Sequence, residues 1–134
     1  MQFELTVEGV PVAKARPRLS GCRVYTPRKT VLHEQHIKDC WDSKYGNIIP
    51  TGKPLEVVIK FYMPMPRSVS KKLREPLLTG VMHTVKPDID NLIKMVLDAL
   101  NKVAYEDDKQ IVDIYAYKRY SEQPRTEITI TEKW

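Results

Sequence analysis

Apolar residues fall at every second position from Leu55 to Met63: Leu55, Val57, Ile59, Phe61 and Met63, set against Glu56, Lys60 and Tyr62. No other stretch constrains the fold so strongly. A period of two belongs to a pleated strand, and the run predicts one over residues 54–63. Val58 breaks strict alternation, which predicts a central strand covered on both faces.

The rest of the chain supplies partners for that strand. Phe3, Leu5 and Val7 alternate with Glu4, Thr6 and Glu8 and predict a half-buried strand ending at Gly9. Residues 11–27 predict a loop holding one short strand at 23–25. Thr30 is the expected N-cap of a helix over residues 30–45, with Leu32, His36, Ile37, Cys40 and Trp41 on one face and Gly46-Asn47 at its end. Residues 68–78 predict a short helix exposing Ser70, Lys71, Lys72 and Arg74, ended by Thr79-Gly80. Pro87 opens a clearer helix, in which Ile89, Leu92, Ile93, Val96, Leu97 and Leu100 form one apolar stripe and Asp88 is the expected N-cap. A loop over 101–108 leads to two strands, 110–120 and 125–133, expected to pair as a hairpin through 121–124. The fold class is therefore α+β: a single domain over residues 1–134, one mixed β-sheet packed with two main α-helices.

Composition limits what such a domain does. At 134 residues it buries one core. No apolar stretch is long enough for a membrane span. The opening residues Met1-Gln2-Phe3-Glu4 lack a basic region followed by an apolar one, so no secretory signal is expected. Cys22 and Cys40 have no metal-type spacing, which predicts free thiols in a reducing cytoplasm. The net charge is +5, and it is unevenly spread. Lys14, Arg16, Arg18, Arg23, Arg28 and Lys29 face only two acidic residues before position 30. Lys60, Arg67, Lys71, Lys72, Arg74 and Lys86 face only Glu75 between 60 and 86. These stretches predict either solvated loops or phosphate-contacting surfaces.

Seven of the seventeen acidic residues lie between the two ends of the 88–113 segment: Asp88, Asp90, Asp98, Glu106, Asp107, Asp108 and Asp113. Asp90, Lys94 and Asp98 are spaced by four and share the helix face opposite the apolar stripe. Taken singly, these are a surface ladder, a cap and a polar turn. Taken together, they suit a hard divalent cation, which prefers carboxylate oxygens, beside a lysine that binds a phosphate. Asp107 and Asp108 join Asp88 only if the 101–108 loop runs back along the helix. Flanking cations would offset the repulsion between such a centre and DNA.

The run Lys86-Pro87-Asp88-Ile89-Asp90-Asn91-Leu92-Ile93-Lys94, then Asp98-Ala99-Leu100, Tyr105-Glu106-Asp107-Asp108 and Gln110-Ile111-Val112, resembles the RusA family of Holliday-junction resolvases. So do Pro11-Val12-Ala13-Lys14-Ala15-Arg16-Pro17-Arg18, Val24-Tyr25-Thr26-Pro27 and the 68–75 segment. The resemblance implies a homodimeric endonuclease dependent on Mg²⁺ or Mn²⁺ that binds four-way branched DNA and nicks two opposing strands symmetrically. It implies metal-binding carboxylates at Asp88, Asp90 and Asp108, with Asp107 as substitute, and a catalytic lysine at Lys94. Expected DNA contacts are Lys14, Arg16, Arg18, Lys71, Lys72 and Lys86. Such genes are often carried by phages and prophages, which suits a bacterial cytoplasmic, nucleoid-associated protein. A flap- or fork-selective nuclease and a non-catalytic basic DNA-binding module are the competing expectations. Tyr115 and Tyr117 share a strand face and are candidates for a dimer interface, and Trp41 is expected in the core.

Overall fold

The computed structural model describes residues 1–46, 52–67, 70–79 and 83–133. The elements follow in the order β1 (Gln2–Glu8), β2 (Arg18–Ser20), β3 (Arg23–Tyr25), α1 (Arg28–Tyr45), β4 (Leu55–Pro64), α2 (Lys71–Thr79), α3 (Ile89–Leu100), a 3₁₀ turn (Asp108–Gln110), β5 (Ile111–Ser121) and β6 (Arg125–Glu132). Four strands form a mixed sheet in the order β1-β6-β4-β5, and β2 and β3 form a separate two-stranded ribbon. The α+β class expected from the sequence is the one observed.

The alternating strand is β4, and it is central. It pairs antiparallel with β6 and parallel with β5. Leu55, Val57, Ile59, Phe61 and Met63 are buried, and Phe3, Leu5 and Val7 of β1 and Ile128 and Ile130 of β6 lie in the same core. The intervening residues of β4 are only half-buried, so the sheet is covered on one face, not on both as Val58 suggested. The uncovered face carries Tyr115 and Tyr117, which register with Val58 and Lys60 and so do share a face.

The expected hairpin between the last two strands is not formed. β4 lies between them, and residues 122–124 carry the chain across its end. Ser121 aligns with Pro64 and Arg125 with Tyr62. Two inter-strand gaps total roughly 10 Å, within reach of the four Cα steps from Ser121 to Arg125. A connection this short therefore fits a straddled strand as well as a direct pair.

Helices α1 and α3 pack against each other, α1 also against β1 and α3 against β5. On α3 the buried residues are Leu92, Met95, Val96, Ala99 and Leu100. Ile89, Ile93 and Leu97 are partly buried at the flank. The stripe is thus turned toward Met95 and Ala99, because α1 covers the helix from the side. Helix α1 starts at Arg28 with Pro27 at its N-cap, not at Thr30. Thr30 is buried instead, and its Oγ1 accepts the N–H of Ala15 at 3.3 Å. Leu32 and His36 are exposed, and the buried side of α1 is Thr30, Ile37 and Trp41. Trp41 is fully buried, as expected, at 5.8 Å from Phe3 and 4.6 Å from Tyr45 between ring centres. Gly46 ends the helix at φ +67° with its N–H on the Asp42 carbonyl. The expected helix boundaries at Asn47, Ser68 and Gly80 lie outside the described residues.

Candidate active site

The acidic motif opens α3. Asp88 holds the N-cap position with extended backbone, and its carbonyl accepts the Leu92 N–H at 3.2 Å. Its carboxylate makes no capping hydrogen bond, contrary to the expected role. Asp90 stands two residues further on, where Oδ1 accepts the N–H of Asn91 at 2.9 Å. Asp88, Asp90 and Lys94 are all exposed. The Asp90–Lys94–Asp98 ladder is not formed, because Asp98 pairs with Lys14 at 3.3 Å. Among the described residues the Asp88 carboxylate and the Lys94 ammonium have no hydrogen-bonding or ionic partner. The first turn of α3 therefore presents two carboxylates, with an unengaged ammonium one turn on. The helix dipole favours negative charge at that end.

A lysine from the sheet fixes this turn. Lys118 lies on the covered face of β5, in register with Phe61. Its Nζ donates to the carbonyls of Val85, at 2.9 Å, and Pro87, at 2.8 Å. The two bonds tie the segment leading into Asp88, which includes the cis Lys86–Pro87 peptide, to the sheet. The sequence held a sign of this residue: Ile114, Ala116 and Lys118 keep one parity, so a lysine falls where the apolar alternation continues.

The second aspartate pair lies elsewhere. Asp107 caps the 3₁₀ turn: its Oδ1 accepts the Lys109 N–H at 3.0 Å, and the Gln110 side chain accepts the Asp107 N–H at 3.0 Å. The Lys109 N–H and a hydrogen bond with Asp108 hold the Asp107 carboxyl below the usual carboxylate range. Sharing that bond with Asp107, then burial, then the charges of Asp107 and Asp98, push Asp108 upward. The same three aspartates surround Tyr105, whose hydroxyl donates to the Leu97 carbonyl at 2.7 Å. Burial, then their charges, raises its pKa strongly. The 101–108 loop thus stays at the C-terminal end of α3. Among the described residues no three His, Cys, Asp or Glu side chains converge to hold a metal. Asp88 and Asp90 share one turn, and the structure does not bring Asp108 to them.

The expected DNA contacts divide three ways. Lys14 turns inward: its Nζ bridges Glu34 of α1 and Asp98 of α3, and its N–H donates to the Asn91 carbonyl at 2.9 Å. Burial pulls the Lys14 pKa down, but the two carboxylates more than offset it and the net shift is upward. Lys71 and Lys72 are exposed on α2, and Arg16 is exposed on the loop before β2. Arg18 and Lys86 meet at one cavity of about 480 Å³ beside the start of α1, together with Lys29 and His83. His83 is buried, and no local pattern in the sequence signals that burial.

The family described as Endodeoxyribonuclease RusA matches residues 8–131. The uncharacterized protein YqaN of Bacillus subtilis (strain 168) is 41% identical over 137 residues, covering 97% of this chain and 96% of YqaN. A crossover junction endodeoxyribonuclease, rusA, of Lactococcus phage r1t is 48% identical over 50 residues, which cover 37% of this chain and 38% of the phage protein. No described helix is long and apolar enough to cross a membrane. The family match spans both basic stretches and the whole acidic motif. The chain belongs to the RusA family of endodeoxyribonucleases and is an enzyme of that class.

Proposed function

We propose that this nuclease resolves Holliday junctions by paired, symmetric nicks, with a divalent cation, Mg²⁺ or Mn²⁺, at the first turn of α3. The observation that carries the reading is the exposed pair Asp88 and Asp90, with Lys94 unengaged one turn away. The donors fit a hard cation, which needs only one or two carboxylates when water and phosphate oxygens complete its shell. When bound there, it supplies Lewis-acid stabilisation of the charge that grows on the phosphorus. Asp88 and Asp90 hold the cation. Lys94 approaches the scissile phosphate and stabilises the departing oxygen. Lys118 keeps the turn carrying Asp88 in place. Of the later pair we assign Asp108 the third-ligand role, because Asp107 is committed to its cap. That assignment requires the 101–108 loop to shift when DNA binds. Arg16, Arg18, Lys71, Lys72 and Lys86 contact backbone phosphates, and Lys14 serves instead as an internal tie.

Two cuts related by the symmetry of a four-way junction call for two active sites, and we assign the protein a homodimer. Its candidate interface is the uncovered sheet face with the exposed Tyr115. A DNA substrate of this kind places the protein in the cytoplasm of a bacterial or phage-infected cell. The test is cleavage of a labelled mobile four-way junction, a flap and a linear duplex, each with Mg²⁺ and with EDTA. Paired nicks confined to the junction, with ligatable ends and only with metal, are expected. Equal cutting of the flap would transfer the enzyme to flap- or fork-selective nucleases, and cutting in EDTA would remove the metal.

A further inference from the structure

The cavity beside α1 is larger than a phosphate contact needs. Its volume is about 480 Å³, and its walls are mainly apolar, including Val12, Met63, Pro64 and Pro87. Its charged lining consists of Arg18, Lys29 and Lys86, with no carboxylate among the described lining residues. Two further features point to a ligand. Helix α1 begins here, 18 residues long, with Pro27 as N-cap, no side-chain cap and no acidic residue in its first turn. Among the described residues no side-chain cap and no first-turn carboxylate offsets its positive end. The second feature is His83, which is only 8% exposed, lines the cavity and has a buried Nδ1 without a hydrogen-bond partner. A buried polar atom left unpaired is costly and calls for an explanation. The His83 ring packs 4.9 Å from Tyr120, and burial first, then the charge of Lys118, lowers its pKa from the ordinary value. Lys29, Lys86 and Arg18 line the same space, and the neutral imidazole favoured by the lowered pKa has Nδ1 free to donate or accept one hydrogen bond.

We propose that this cavity receives one nucleotide of the DNA, unstacked from its neighbours. Its base lies against the apolar wall and hydrogen-bonds His83, and its phosphate lies at the mouth among Arg18, Lys29, Lys86 and the start of α1. This rests on the junction-cutting reading above and gives it a substrate subsite. Apolar walls suit a base face, and a single polar atom suits a base edge. In the open form of a four-way junction the bases at the branch point lack a stacking neighbour across it and cost less to displace than those within an arm. The cavity also adjoins the reaction centre along the chain, since Lys86 and Pro87 line it and Asp88 follows.

Two measurements test it, neither requiring cleavage. In the first, the imidazole C–H signals of His33, His36 and His83 are followed by NMR, with His83 assigned through His83→Gln. The protein is titrated without metal using thymidine 5′-monophosphate, thymidine and inorganic phosphate separately. The nucleotide is expected to shift His83 saturably and at least about tenfold more tightly than either fragment, and Lys29→Ala to weaken it about tenfold. An equal response to inorganic phosphate, or a silent His83, overturns the proposal. In the second, 2-aminopurine is placed at the branch point of an immobile four-way junction in EDTA. Its fluorescence is expected to rise with the wild-type protein and much less with His83→Phe. A junction that is cut normally but shows no fluorescence rise removes the nucleotide subsite and leaves the nuclease reading standing. A rise that depends on His83, in a protein that cuts no junction, keeps the subsite and removes that reading.

Discussion

Asp90 and Lys94 lie one helical turn apart and do different work in the proposed chemistry, so their substitutions separate. Asp90→Asn keeps the shape and removes a metal-holding charge. Cleavage should fall on the order of a thousandfold, while junction binding in EDTA stays level or tightens as local negative charge is lost. Normal cleavage by that variant in Mg²⁺ sinks the metal assignment. Lys118 touches no expected substrate atom, yet it holds the carbonyls of Val85 and Pro87. Lys118→Met should cut turnover by about a hundredfold through displacement of Asp88, with binding of the junction in EDTA changed far less. If turnover and binding fall together, Lys118 is a general structural prop and not a positioning residue. Asp88, Asp90 and Lys94 were legible as a group because helical spacing alone puts them at one end of α3. Lys118 was legible only as a lysine on the apolar parity of β5; its contact with Val85 and Pro87, like that of His83 with Tyr120, joins segments distant in sequence, and no local period reports such a contact.

At the scale of elements, Lys14 is the informative residue. It stood in the sequence among cations assigned to DNA, and the fold uses it to fasten α1 to α3 through Glu34 and Asp98. Lys14→Ala should lower unfolding free energy by about 1 kcal/mol, read as a lower denaturant midpoint at unchanged slope. A midpoint that stays put while junction affinity collapses would return Lys14 to the DNA surface. Charge runs show that cations are present but not which of them find carboxylates in three dimensions. The strands divide the same way. The period of two in β1 and β4 located both, but β4's place between β5 and β6 depends on pairing between distant segments, and the short 122–124 link is compatible with either arrangement. The exposed β2–β3 ribbon was half-seen, as residues 23–25 only. It turns through Gly21 at φ +63°, a conformation that glycine accepts without strain.

Across the whole molecule, two buried or half-buried histidines set an acid limit. Burial is the leading cause that lowers His33 and His83 from the ordinary 6.5, with His36 and Lys29 adding to it for His33 and Lys118 for His83. Below about 6.5 the unfolded chain takes up protons that the folded chain resists. Stability from these groups is complete above that value and is lost as pH falls toward the lowered folded values. Denaturant titrations between pH 8 and 5 should show the decline, and His83→Gln should flatten it; an unchanged slope in that variant excludes His83 as a source. The dimer is tested at the same scale. Tyr115→Glu should shift the sedimenting mass to that of one chain and convert paired nicks into single ones. An unaltered mass places the interface on another surface.

The strand order β1-β6-β4-β5 has a consequence in time. β6 is the last of these strands to leave the ribosome, yet it is the piece that joins β1 to β4. Until it emerges, β1 has no partner in the sheet and one edge of β4 stays open to other chains. A nascent polypeptide stalled before residue 125 therefore carries the acidic motif and both basic stretches without the sheet that holds them in place. The cell meets a competent DNA-cutting enzyme only after synthesis has passed the final strand, and a stalled chain exposes an apolar strand edge for chaperones or proteases to find.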